Sequence, residues 1–227
     1  MSEPICAYLL DTANGWVLLD TGFDSAHAQD AERREANFYR HGMVPPVVLP
    51  EHELLPQLEG LGLKPADIQH VIVTHLHFDH VGGLKHFPHA RASIQRREYE
   101  VRLQHDIRSG YIQEDYDSPS IKWDVVDGDW QVMPGLNMID TRGHTAGHQS
   151  AVLELPSSGV VVLPFDAGDL QENFDDEVLP GESVDDAAAM QAILRIKSIL
   201  AERNGRMLLF HDPVAIQKIK LAPDFYD

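Results

Sequence analysis

The chain has 227 residues, of which 43% are hydrophobic, and its 36 acidic and 18 basic residues give a net charge of −18. A field of that sign repels phosphate backbones, so the composition argues against a nucleic-acid partner. The single cysteine, Cys6, excludes an intrachain disulfide. The sequence shows neither a basic, apolar leader nor an apolar stretch of about 18 residues, which predicts a cytoplasmic protein without a membrane span.

The first predicted element is a β-hairpin. Apolar runs over 5–10 and 16–20 flank Asn14-Gly15, a pair that favours the backbone conformations of a tight hairpin turn. Cys6 is therefore predicted to be a packed thiol in the first of these strands.

Three helices are predicted from apolar residues at helical spacing. They cover 51–61, 96–104 and 184–203, and the third is expected to begin after a capping Ser183 and to end at Gly205. The residues predicted to be buried are Leu54, Leu55, Leu58 and Leu61 on the first helix, and Ile193, Leu194, Ile196, Ile199 and Leu200 on the third.

The segment 75–80 carries the clearest chemistry in the chain. It reads His-Leu-His-Phe-Asp-His and follows a predicted strand over 68–74. Imidazole and carboxylate are ligand types for zinc and similar divalent ions. A cluster of this kind would lose solvation without a cation to gather around, so the segment predicts a metal site at which His75 and His77 face one point.

Three later groups of polar residues also follow or end predicted strands. The segment 143–148 reads Gly-His-Thr-Ala-Gly-His, Asp166 ends an apolar run, and His211 follows another. Loops at strand ends deliver functional side chains in α/β proteins, so these groups are predicted to join the same site. His27, His41, His52, His86, His89 and His105 are predicted to be surface or loop residues.

Together these motifs resemble the metallo-β-lactamase superfamily over about residues 11–212, and within it the N-acyl homoserine lactonases. The segments that carry the closer likeness are 75–80, 95–100, 147–150, 166–167 and 172–178. The resemblance implies an α/β fold, an αββα sandwich with the metal site at one edge between the two sheets. The length of the chain, and the spread of the candidate site residues from 75 to 211, predict a single domain over residues 1–227.

The resemblance implies two divalent metal ions, zinc first, with iron, cobalt or manganese also suited to the same donors. The implied ligands are His75, His77 and His148 for one ion, Asp79, His80 and His211 for the other, and Asp166 as a bridge. His144 is expected to be structural in preference to a ligand. Asp20, at the end of the hairpin, is expected either to orient a ligand imidazole or to form a turn.

The implied reaction is attack on a lactone or ester carbonyl by a hydroxide shared between the metals, with Asp79 holding and relaying the proton. Lactonases usually have a tyrosine three residues after the bridging Asp, and this chain has Asp169 there. Three interpretations are open. Asp169 acts as an acid with a raised pKa, Tyr111 or Tyr116 reaches in from the segment 106–120, or the substrate needs no such donor.

The leading functional hypothesis is therefore a lactone-opening hydrolase whose first expected substrate is an N-acyl homoserine lactone. The alternatives are hydrolysis of another small cyclic ester or of a thioester, as in glyoxalase II, and a ligand sensor on the same fold. The expected partner is a small-molecule lactone or ester, without nucleic acid or membrane. The oligomeric state is left open, a dimer included.

Overall fold

The computed structural model describes residues 3–227, which form two compact units with one five-stranded β-sheet each. The amino-terminal unit comprises residues 5–94 and 100–124, and the carboxy-terminal unit comprises residues 3–4, 95–99 and 125–227. In the described part of the chain, no helix has the length and hydropathy needed to cross a membrane. The single domain over residues 1–227 stays a prediction.

The sheet of the amino-terminal unit has its strands in chain order, β1 to β5. The strands are β1 Tyr8–Thr12, β2 Gly15–Leu19, β3 Ile68–Ile72, β4 Arg91–Gln95 and β5 Lys122–Val126. β1 and β2 pair antiparallel around a turn in which Gly15 has a φ of 101°, so the predicted hairpin is confirmed. β3 pairs in parallel with β2 and β4. Cys6 lies before β1, not inside it, so that placement was wrong.

Four helices lie in this unit, and one of them was predicted too long. They are α1 Ala26–Gln29, α2 Ala31–Asn37, α3 Leu54–Gly60 and α4 Phe78–Val81. The helix expected over 51–61 begins only at Leu54, because Glu53 is extended with ψ of 151°. Leu58 is buried as predicted, whereas Leu61 follows the last helical residue and is 39% exposed. The prediction for Leu61 was wrong.

The sheet of the carboxy-terminal unit has the order β10-β9-β8-β7-β6. Its strands are β6 Trp130–Met133, β7 Leu136–Asp140, β8 Gln149–Leu155, β9 Gly159–Leu163 and β10 Arg206–Met207. The first three pairings, from β6 to β9, are antiparallel, and β10 is parallel to β9. The strands end at Asp140, Leu163 and Met207, so each of the three polar groups follows a strand, as predicted.

The remaining helices are α5 Arg96–Val101, α6 Gln171–Asp175 and α7 Asp186–Arg203. α5 ends three residues before the predicted 104. Asp185, not Ser183, caps α7, since its carboxylate accepts a hydrogen bond from the amide of Ala188. Ser183 instead donates its hydroxyl to the carboxylate of Asp186. The helix ends at Asn204, which takes the left-handed conformation with φ of 48°.

α7 covers the carboxy-terminal sheet and closes its core. Ile193 and Ile196 are fully buried there with residues of β7, β8 and β9. Leu194 is 37% exposed, so the prediction that it is buried was wrong. It lies one position beyond Ile193, which turns it by about 100° around the helix and away from the sheet.

Candidate metal centre

The histidine segment of the amino-terminal unit leaves β3 and turns at once into α4. His75, His77 and His80 are buried, and the ring centroid of His75 lies 4.5 Å from that of His77 and 4.1 Å from that of His80. Nε2 of His80 lies 3.7 Å from Oδ2 of Asp79. The structure thus brings the four residues predicted from segment 75–80 close together.

Asp20 orients one of these imidazoles. Its Oδ2 accepts a hydrogen bond from Nδ1 of His80 at 2.7 Å, and its two oxygens also accept from the hydroxyl and amide of Thr74 at 2.7 and 2.8 Å. Burial raises the pKa of Asp20, and the facing His80 opposes that rise. Because Nδ1 is occupied by Asp20, His80 directs Nε2 towards Asp79, which is the arrangement of a metal-binding histidine. Asp20 therefore orients the imidazole of His80, and the role of His80 as a metal ligand stays a prediction.

The segment 106–120 packs against His77. A Cβ atom at Gly110 would lie 2.7 Å from Cδ2 of His77, so only glycine fits there. Its φ of 81° is also a backbone conformation that favours glycine. The ring of Tyr111 stands edge-on to His77 with centroids 5.0 Å apart. Tyr116 is fully buried and donates its hydroxyl to the carbonyl of Arg102 at 2.8 Å. Of the two tyrosines, Tyr111 is therefore placed beside a predicted ligand, and the catalytic role of each stays a prediction.

Asp166 is the centre of the polar group in the carboxy-terminal unit. It lies just after β9 and is buried, and its Oδ2 lies 3.3 Å from Nε2 of His144 and 3.4 Å from Nε2 of His211. Nδ1 of His144 donates to the carbonyl of Glu182, and Nδ1 of His211 donates to the carbonyl of Pro4. With Nδ1 engaged in this way, each ring turns its Nε2 towards the same carboxylate oxygen. Imidazole nitrogens and carboxylate oxygens are ligand types for divalent cations, so this donor set fits such an ion.

His144 and His148 have different contacts in the structure, and the choice between them as a metal ligand stays a prediction. Nδ1 of His148 donates to the carbonyl of Thr141 at 3.1 Å, and its Nε2 accepts from the backbone amide of Asp166 at 3.1 Å. Both ring nitrogens of His148 thus contact the backbone. His148 precedes the first residue of β8 and braces the loop, whereas His144 faces the carboxylate.

The segment 95–100, which is part of the resemblance to lactonases, holds this loop in place. The amide of Gly147 donates to the buried carboxylate of Glu98 at 2.9 Å, and a Cβ at Gly147 would lie 2.4 Å from the amide nitrogen of Glu98. The side chain of Gln95 donates to Gln149 and to the carbonyl of Gly128. The segment 95–100 therefore holds in place the loop that carries His144.

Asp169 lies in the same unit and does not contribute a tyrosine-like hydroxyl. Its carboxylate accepts a weak hydrogen bond from the amide of Gly181 at 3.4 Å. Burial and then the negative charge of Asp166 raise the pKa of Asp169, while His211 and His144 oppose that rise. The direction of this shift agrees with the interpretation of Asp169 as an acid.

Known proteins resemble this chain over nearly its whole length. The family model described as the metallo-beta-lactamase superfamily matches residues 4–204. An N-acyl homoserine lactonase of Bacillus cereus is 34% identical over 225 residues, which are 99% of this chain and 88% of that protein. A solved N-acyl homoserine lactone hydrolase with the product N-hexanoyl-L-homoserine bound at its catalytic metal centre has a TM-score of 0.89 at 32% identity, over 99% of this chain and 87% of that one. A solved mutant of AiiA from B. thuringiensis, with N-decanoyl-L-homoserine bound at its active site, has the same TM-score at 31% identity and the same coverage.

The chain belongs to the metallo-β-lactamase superfamily and has its α/β fold with two sheets. The histidine and aspartate residues described above are the donor types with which such a fold holds divalent metal ions.

Proposed function

We propose that this protein is a metal-dependent hydrolase that opens the lactone ring of N-acyl homoserine lactones. One observation carries the proposal: His144 and His211 direct Nε2 at the same oxygen of Asp166, in a chain similar over nearly its whole length to lactonases. The amino-terminal unit carries a second group of ligand-type side chains in its buried histidine segment.

The proposed cofactor is a pair of divalent ions, zinc by donor type. The residues that we propose as metal ligands are His75, His77, Asp79 and His80 in the amino-terminal unit and Asp166 and His211 in the carboxy-terminal unit. Of the two histidines in segment 143–148, the family resemblance implies His148, and the contact of His144 with Asp166 leads us to propose His144 instead. When bound, two such ions supply an activated water and polarise the carbonyl of the lactone. The two orienting contacts, Asp20 with His80 and Glu182 with His144, direct imidazole nitrogens away from the backbone and towards this role.

Proton transfer is assigned to Asp79. Its side chain is partly exposed and lies 3.7 Å from Nε2 of His80, and it is the carboxylate of the histidine segment. Asp79 takes the proton released when water adds to the carbonyl carbon. It returns that proton to the ring oxygen when the carbon–oxygen bond of the lactone breaks. The product is a hydroxy acid, and the charge balance closes without another reactant.

Ring opening of N-hexanoyl homoserine lactone, followed by titration of the released acid, tests the proposal on protein of known zinc content. Turnover is expected with zinc bound and is expected to vanish in the His144→Ala variant. His41→Ala, an exposed histidine, is the matched control and should keep full activity.

Thioesters and other cyclic esters belong in the same assay. Turnover of a thioester without lactone opening would favour the glyoxalase-like alternative. Zinc binding without turnover of any substrate would favour a ligand sensor.

A further inference from the structure

A second group of metal-ligand side chains lies wholly inside the amino-terminal unit. Asp24, His27 and Asp115 each offer one ligand atom within 4.8 Å of the others. Nε2 of His27 lies 2.8 Å from Oδ1 of Asp115 and 3.8 Å from Oδ2 of Asp24. Ligand atoms around one tetrahedral zinc ion stand about 3.3 Å apart, which lies between these two distances. We propose that Asp24, His27 and Asp115 form a further divalent-cation site, separate from the proposed catalytic ligands.

Burial supports this site. His27 has no exposed surface and Asp115 is 1% exposed, so the prediction of His27 as a surface residue was wrong. Oδ1 of Asp115 meets His27, but its buried Oδ2 has no hydrogen-bond partner within the described part of the chain. A buried carboxylate oxygen left without a partner is costly. A cation beside Asp115 removes that cost.

The second nitrogen of His27 already has a polar partner. The amide of Asn37 donates to Nδ1 at 3.0 Å, so in the cation-free protein Nε2 carries the proton and donates to Asp115. A cation on Nε2 requires the proton to move to Nδ1. A half-turn of the Asn37 amide then lets its oxygen accept that proton. Asn37 is thus a positioning residue that serves His27 in both states.

Lys85 would compete with the proposed cation for the carboxylate of Asp24. Its ammonium contacts Oδ2 of Asp24, and Nη1 of Arg33 lies 4.0 Å from the same oxygen. Lys85 is 39% exposed and can release Asp24 into a metal contact by turning into solvent. Oδ1 of Asp24 accepts from the amide of Ala26 at 3.1 Å, which keeps the carboxylate in place.

The position of Asp115 gives the site a structural role. A short 3-10 turn, Gln113–Asp115, carries it, a few residues after Tyr111 and its contact with His77. The carbonyl of Gly110 also accepts a hydrogen bond from the amide of Phe78 at 2.8 Å. A cation held by Asp24, His27 and Asp115 therefore ties α1 to the segment that packs on His77.

Equilibrium dialysis against zinc, followed by metal analysis of the folded protein, tests the proposal. Asp115→Asn keeps the shape of the side chain and removes its charge, and is expected to bind one zinc fewer per chain than the unaltered protein. Glu114→Gln, at an exposed neighbour, is the control and should bind the same number as the unaltered protein.

The same difference of one zinc is expected when both proteins also carry His144→Ala. The count therefore separates failure of this site from failure of the proposed function. Equal zinc content with and without Asp115→Asn would overturn the proposal.

Lys85→Met provides a second measurement that does not depend on a buried substitution. Loss of the competing ammonium should tighten the weakest zinc-binding step by about tenfold. An unchanged affinity would show that Asp24 serves only as an ion-pair partner of Lys85, and would overturn the proposal even if the Asp115→Asn variant failed to fold.

Discussion

Oδ2 of Asp20 lies 2.7 Å from Nδ1 of His80, and this hydrogen bond determines which nitrogen the imidazole can offer to a metal ion. The contact joins the end of the hairpin, β2, to the helix α4. Asp20 holds it with φ of 58°, a conformation that non-glycine residues seldom adopt.

The Asp20→Asn variant should bind metal more weakly while remaining folded. Loss of the negative charge behind His80 lowers the basicity of Nε2, and changes at such supporting groups typically cost about 10–100-fold in metal affinity. Zinc titration with a competing chelator measures this. Asp11→Asn, on the exposed edge of the same hairpin, is the control and should leave the affinity unchanged. Equal affinities in all three proteins would contradict the orienting role.

His144→Ala and His148→Ala should have opposite effects. The first removes an imidazole that faces Asp166, so zinc content and turnover should both fall. The second removes two hydrogen bonds to the backbone, so the free energy of unfolding should fall by about 1–3 kcal/mol while zinc is retained. Metal analysis and urea denaturation of both variants check this. Retained zinc in His144→Ala, with zinc lost from folded His148→Ala, would restore the assignment first made from the sequence.

Asp169→Tyr should raise kcat/KM for N-acyl homoserine lactones by about tenfold, because a phenol keeps its hydrogen-bond donor at neutral pH, whereas a carboxyl group loses its donor on ionisation. Asp169→Phe supplies the same ring without the hydroxyl and is the control. Steady-state rates of lactone opening compare the three proteins. If Tyr and Phe give the same rate, the hydroxyl at this position does not limit the reaction.

Stability should fall as the pH is lowered below about 6.5, in part because of His70. Burial, and then the charge of Arg91, lowers the pKa of His70 to about 4, while Asp124 opposes this. Between the ordinary pKa of histidine and the lower pKa of folded His70, the unfolded chain binds a proton at this position that the folded chain does not. His70 therefore causes no loss of stability above pH 6.5. Below that pH the free energy of unfolding falls by about 1.4 kcal/mol per pH unit until the pKa of folded His70 is reached.

At pH 5 the loss attributable to His70 is therefore about 2 kcal/mol. Urea denaturation at pH 7 and pH 5, with a chelator present, should show a smaller difference between the two pH values in His70→Gln. His41→Gln, at an exposed position, is the control and should keep the full difference. An identical pH dependence in all three proteins would exclude His70 as the cause.

The features that the sequence predicted well are local ones. The hairpin depends on two neighbouring turn residues, and the clustering of segment 75–80 depends on six consecutive positions. The orienting role of Asp20 could be predicted because this residue ends a strand that the sequence places beside that segment. Leu61 and Leu194 were predicted to be buried because both continue a run of apolar residues. Leu61 lies beyond the end of its helix, and Leu194 lies outside the buried face of its helix.

The features that it missed depend on distant contacts. His144 and His148 are four positions apart, and their different contacts, with the carbonyl of Glu182 and with the backbone amide of Asp166, come from distant parts of the chain. His27 and Asp115 are 88 residues apart in sequence, so no periodicity could relate them. The segment 95–100 was identified by its resemblance to lactonases. That it holds Gly147 in place was evident only from the hydrogen bond in the structure.

The hydrogen bond from His211 to the carbonyl of Pro4 spans 207 positions of sequence. A purification handle or a deletion that displaces Pro4 would let the His211 imidazole rotate, and an engineered preparation could lose metal although no ligand had been altered. Expression designs for this enzyme should leave that proline and its neighbours undisturbed.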